Sequence, residues 1–223
     1  MISFVWSDTH PMFAGRGGTE SFTIGHVREL VERGIPARVI TLGLGKNDGR
    51  EFYNDIEFLD VESPEALSEL DDILVFVNFP IDVPTKKQSF VFYHIPPLDR
   101  RNRVVDYKSA QKNQVILTNS RYLRTVWADY LDVNPNKIHI VYPFADPVFA
   151  KVQRRAEFQS DKTRVLFAGR LVPEKGIYLL MEAIHHNVLQ DGNFSFTVTN
   201  AGNQTSPGDV IEHILHAHPC IRV

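Results

Sequence analysis

The 223-residue sequence holds one cysteine, Cys220, which excludes an internal disulfide framework. No stretch approaches the ~18 consecutive apolar residues of a membrane span. Charge of one sign is also missing: 24 Lys and Arg stand against 27 Asp and Glu, net −3, which gives no global reason to expect nucleic acid as a partner. Disorder is excluded by a hydrophobic content of 43% with 23% charged residues, ordinary values for a globular protein long enough for two small cores. Met1–Trp6 has neither a basic leader nor a small-residue cleavage site and reads as a first strand, so the expected location is the cytoplasm. A local cluster, Arg100, Arg101 and Arg103, suits an anionic acceptor or a peripheral contact with a lipid surface.

Several signatures of common chemistries are absent as well. There is no P-loop lysine motif, no serine nucleophile elbow and no Asp-x-Asp metal motif. His213, His216 and His218 with Cys220 have ligand chemistry but read as ordinary surface, so no metal is expected. The turn Gly15-Arg16-Gly17-Gly18 is glycine-rich without the G-x-G-x-x-G spacing, and the next strand ends in Thr41-Leu42-Gly43 without a carboxylate for a ribose. Nicotinamide binding is therefore disfavoured.

What is present is an alternation of strands and helices. Residues 2–6 form a strand, Thr19 caps a helix with Phe22, Val27, Leu30 and Val31 on its apolar face, and Gly34 stops it before the strand 37–42. Strands follow at 56–61, 73–78, 89–93 and 114–118, with a short helix from Pro64 and Asp71-Asp72 as a turn. Asn119-Ser120 caps a helix facing inward through Leu123, Trp127, Tyr130 and Leu131. His94 falls at the carboxyl end of its strand, where active residues of open α/β sheets sit.

The most informative stretch is Val165-Leu166-Phe167-Ala168-Gly169-Arg170-Leu171-Val172-Pro173-Glu174-Lys175-Gly176. Its unbroken apolar run predicts a strand buried on both faces, and Pro173 is preset for the first turn of a helix with Ile177, Leu180, Met181 and Ile184 on one face. A strand feeding a helix leaves free N–H groups at the positive end of the helix dipole, and Arg170 and Lys175 add two cations there. The implied ligand is a phosphate or diphosphate.

This stretch resembles the "GR-hydrophobic-x-x-E-K-G" signature of the retaining glycosyltransferases of family 4, which have the GT-B fold. The resemblance implies two Rossmann-like doubly wound α/β domains facing a cleft: residues 1–149 on the acceptor side, a linker at 150–162, and a nucleotide-sugar-binding domain at 163–223. In that family the arginine and lysine grip the donor diphosphate, here Arg170 and Lys175. The Gly-Gly-Thr-Glu sequence at 17–20 looks like the loop whose backbone N–H groups approach the same diphosphate, which points to Gly17 and Gly18. His94 resembles the histidine beside the transferred sugar. The segment 142–149 resembles the family's "P-N-G-V-D-x-x-x-F" crossing, with Phe144-Ala145 in place of Asn-Gly. The implied activity is hexosyl transfer, with retained configuration, from a nucleotide-diphosphate sugar to a sugar, lipid-linked or small-molecule acceptor, without a metal or other cofactor. A sugar-nucleotide epimerase and a binding or scaffold fragment without turnover are the alternatives.

Against the family pattern the second domain is expected to be truncated. Its glutamate, seven residues, glutamate motif is missing, and Glu174 and Glu182 read as surface acids of the helix. Three strands ordered 3-2-1 would leave 165–168 as an open edge, available to a second copy or another polypeptide.

Overall fold

A computed structural model of the chain describes residues 1–8, 11–12, 17–97, 106, 108, 114–145, 147–151, 162–169, 171–190, 193–200 and 221–222. The chain divides into two compact units, Met1–Ala145 and Asp146–Val223. Arg16, Arg100, Arg101, Arg103, Arg170, the polar segment 152–161 and the predicted helix at 207–216, with its histidines and Cys220, lie outside the described residues.

The first unit is built on seven parallel strands: β1 (Ile2–Trp6), β2 (Ala37–Leu42), β3 (Phe58–Val61), β4 (Ile73–Val77), β5 (Phe90–Tyr93), β6 (Val115–Thr118) and β7 (Ile138–Ile140). Their order, β3-β2-β1-β4-β5-β6-β7, reverses between β1 and β4, which makes their carboxyl ends the topological switch point. Alternate residues of each strand enter opposite cores. Val5, Ile40, Leu74, Phe76, Val91 and Tyr93 share one with Leu123, Trp127 and Leu131 of helix α2 (Arg121–Leu131). Phe4, Trp6, Val39, Val75, Val77 and Phe92 share the other with Phe22, Ile24 and Val27 of helix α1 (Gly18–Glu32). Two-sided burial is why these strands read as near-continuous apolar runs.

The termini of the two helices differ. Ser120 Oγ accepts from Leu123 N at 3.2 Å, the cap expected of it. Thr19, by contrast, lies inside α1; the cap position is Gly17, with no side-chain cap, and the Thr19 carbonyl accepts from Thr23 Oγ1. Asp72 is not the solvated turn residue expected. It is buried, accepts from Ser3 Oγ at 2.6 Å and pairs with Arg38 at 2.8 Å, tying β1, β2 and the entry to β4 together at the amino ends of the strands.

The second unit has the parallel sheet β10-β9-β8, with β8 at Thr163–Gly169, β9 at Phe194–Asn200 and β10 at Ile221–Arg222. The 3-2-1 order leaves β8 at the edge among the described residues. Its position corrects the expectation of burial on both faces: Leu166 is 65% exposed, and Arg164 and Ala168 are exposed with it on the same face, because only the face of Val165 and Phe167 is covered. Helix α3 (Ile177–Gln190) turns Ile177, Leu180, Met181 and Ile184 away from solvent, the predicted face. It does not begin at Pro173. Pro173–Lys175 forms a separate 3-10 turn, closed by Gly176 at φ +77, a left-handed conformation that favours glycine.

Candidate functional site

In the first unit the loops at the carboxyl ends of the strands are tied to one another. Ser7, after β1, donates to the Phe79 carbonyl after β4 at 3.0 Å. Asn78 ends β4 at φ +63, a region asparagine tolerates, and its Oδ1 accepts from His94 N at 2.8 Å. Asn119 Nδ2 donates to the His94 carbonyl at 3.2 Å, and Trp127 Nε1 donates to the Ile95 carbonyl at 2.9 Å. The backbone around His94 is thus held by the end of β4, the end of β6 and helix α2. Asn78 was not singled out from sequence, and Asn119 was read only as part of a helix cap; an asparagine closing an apolar run is the signal available.

The His94 ring stacks on Phe92 at 4.4 Å and meets the edge of Phe22 at 4.6 Å. Its Nε2 is buried and has no hydrogen-bond partner among the described residues. Burial, with the nearby His26 as a second cause, pushes its pKa down to about 4, so the imidazole is neutral at pH 7. A neutral imidazole offers one donor and one acceptor. It is therefore suited to a hydroxyl rather than to a diphosphate's charge.

Gly17 and Gly18 begin α1. Among the described residues a Cβ at Gly18 would meet nothing within 4 Å, and one at Gly17 would meet only the flexible carboxylate of Glu20, so their packing does not demand either glycine. What the pair leaves is bare backbone at the amino end of a 15-residue helix lacking a side-chain cap.

In the second unit Lys175 is exposed and, among the described residues, has no ion-pair partner. Two residues on, Ile177, Tyr178 and Leu179 bring the first N–H groups of α3, whose ladder starts with Leu180 N to the Gly176 carbonyl at 3.1 Å. Leu171 and Ile177, both fully buried, fasten this turn to Val198 of β9. Among the described residues no three His, Cys, Asp or Glu side chains come together as a metal site, and no helix is long and apolar enough to cross a membrane.

No protein-family model and no curated protein matches the sequence. Solved structures do match its fold. A glycosyltransferase from Rickettsia africae superposes with a TM-score of 0.66 at 13% identity, over 99% of this chain and 66% of that one. WaaG, a glycosyltransferase involved in lipopolysaccharide biosynthesis, gives 0.64 at 13% identity, over 100% and 69%. Anabaena HepE, in complex with UDP and glucose, gives 0.58 at 14% identity, over 100% and 68%. The chain has the GT-B fold. It spans about two thirds of the length of these GT-B chains.

Proposed function

We propose that the protein is a glycosyltransferase of the family 4 type, moving a hexosyl group from a nucleotide-diphosphate sugar to an acceptor with retained configuration. The observation carrying this reading is Lys175, exposed beside the amino end of α3 and without an ion-pair partner among the described residues, on a fold shared with glycosyltransferases. Lys175 and Arg170 neutralise the leaving diphosphate, whose charge grows in the transition state. Gly17 and Gly18 offer backbone donors at the amino end of α1. Neutral His94, held from three elements, hydrogen-bonds a hydroxyl of the transferred sugar. The two cations and the amino end of α3 supply the positive potential, so this reading assigns no work to a metal.

The test is calorimetric titration of UDP, GDP and ADP into the parent chain and the Arg170→Ala and Lys175→Ala variants. A charge-assisted contact contributes ~1.5–3 kcal/mol, so affinity for the preferred nucleotide falls about tenfold or more in each variant. Lys137→Ala, at an exposed site in the first unit, leaves it unchanged. Unaltered affinity in both site variants would place the diphosphate elsewhere.

A further inference from the structure

The chain leaving β7 brings Phe144 onto α1 in a way the donor reading does not use. The ring lies against Gly25, where a Cβ would come within 1.9 Å of Phe144 Cζ, so only glycine admits it. Phe22 at 6.1 Å and His26 at 5.5 Å between ring centroids flank the seat. Phe144 nevertheless remains 51% exposed. One side of the ring is fixed against the helix while much of its surface stays open to solvent.

Beside it, the half-buried His26 has Nδ1 2.8 Å from the Phe22 carbonyl oxygen. A carbonyl only accepts, so Nδ1 carries the proton and Nε2 is left as a hydrogen-bond acceptor of fixed orientation. A pyranose presents a C–H face that packs on an aromatic ring and hydroxyls around its rim that donate to an acceptor. A phosphate or carboxylate would meet a lone pair at Nε2 instead of a donor.

We propose that Phe144 and His26 form a subsite for a neutral sugar ring of the acceptor, with the ring stacked on Phe144 and one hydroxyl donating to His26 Nε2. Its role as an acceptor subsite rests on the glycosyltransferase reading. The binding itself does not.

Saturation-transfer NMR with the methyl pyranosides of glucose, galactose, mannose and N-acetylglucosamine tests the subsite on the full chain. At least one glycoside binds, with saturation concentrated on the C–H protons of one ring face. Phe144→Ala weakens binding about tenfold, and Phe144→Leu, which keeps bulk without a flat face, does the same. Gly25→Ala dislodges the ring and acts like Phe144→Ala, and combining the two adds nothing. His26→Phe also weakens binding about tenfold, and His26→Gln, which retains an acceptor oxygen, recovers part of it. Thermal unfolding checks that each variant is folded, and UDP titrated on the same variants keeps its parental affinity. Binding of none of the four glycosides, native binding in folded Phe144→Leu, or displacement of the glycoside by uridine would overturn the subsite. Loss of UDP binding to the parent chain, with glycoside binding intact, would overturn only the donor reading.

Discussion

The two units share one architecture and differ in how completely it is buried. Strands β1 and β4 of the first have every residue after the first buried, and two apolar clusters fill the two faces of the sheet. In the second, Leu171, Ile177 and Val198 form a single small cluster among the described residues, and the edge strand β8 has no fully buried residue. Both nonetheless place a glycine at a helix amino end in the connection that follows their first strand. The local device for binding an anion is set by the turn, while stability is set by how much apolar area the surrounding sheet removes from water.

The largest effects should separate the units. Leu131 and Leu171 are both fully buried, at 0% solvent exposure. Truncating a buried leucine costs about 3 kcal/mol. Leu131→Ala should lower the unfolding midpoint of the first unit, whereas Leu171→Ala should release hydrogen-exchange protection in β8, β9 and α3 alone. Exchange measured by mass spectrometry checks this. Equal loss of protection across both units in Leu171→Ala would show that they unfold together.

A smaller effect concerns the first unit alone and comes from His94. Its folded pKa, pushed down to about 4 from 6.5, lies below that of the unfolded chain, so between these values the unfolded state takes up the proton first. Stability is then full above pH 6.5, falls as the pH drops towards 4, and levels off below. The slope is at most about 1.4 kcal/mol per pH unit, and the partial exposure of the ring reduces the total to about 2 kcal/mol across the window. Urea titrations between pH 4 and 7 should show this slope in the parent chain and a flatter one in His94→Gln. An unchanged slope in the variant would assign the proton uptake to another group.

Sequence reading succeeded where the pattern is local and apolar. The α3 face of Ile177, Leu180, Met181 and Ile184, the Ser120 cap and the edge position of β8 were all legible, because periodicity, capping chemistry and sheet order determine them. It failed where a partner distant in sequence decides. Asp72 looks like a turn acid until Ser3 and Arg38 meet it, and no local pattern pairs His26 with Phe144, 118 positions further along. Of the candidate site, the positions of Gly17, Gly18, His94 and Lys175 at strand or helix ends were readable. The burial that keeps His94 neutral depends on Phe22 and Phe92 and was not.

The smallest expected effect on stability lies at the edge of the second unit, and it sharpens the contrast with the first. Leu166 is 65% exposed on β8, and a substitution at such a position changes unfolding free energy by less than about 0.5 kcal/mol. Its consequence should be intermolecular. The outer side of β8 faces no other strand among the described residues, and an apolar, unpaired edge is a template for a second copy of the chain. Leu166→Lys puts a charge on that edge. Light scattering against concentration should show the parent chain self-associating and Leu166→Lys remaining monomeric, with superimposable thermal melts at low concentration. A parent chain that stays monomeric at high concentration would mean that the edge is protected without a second copy.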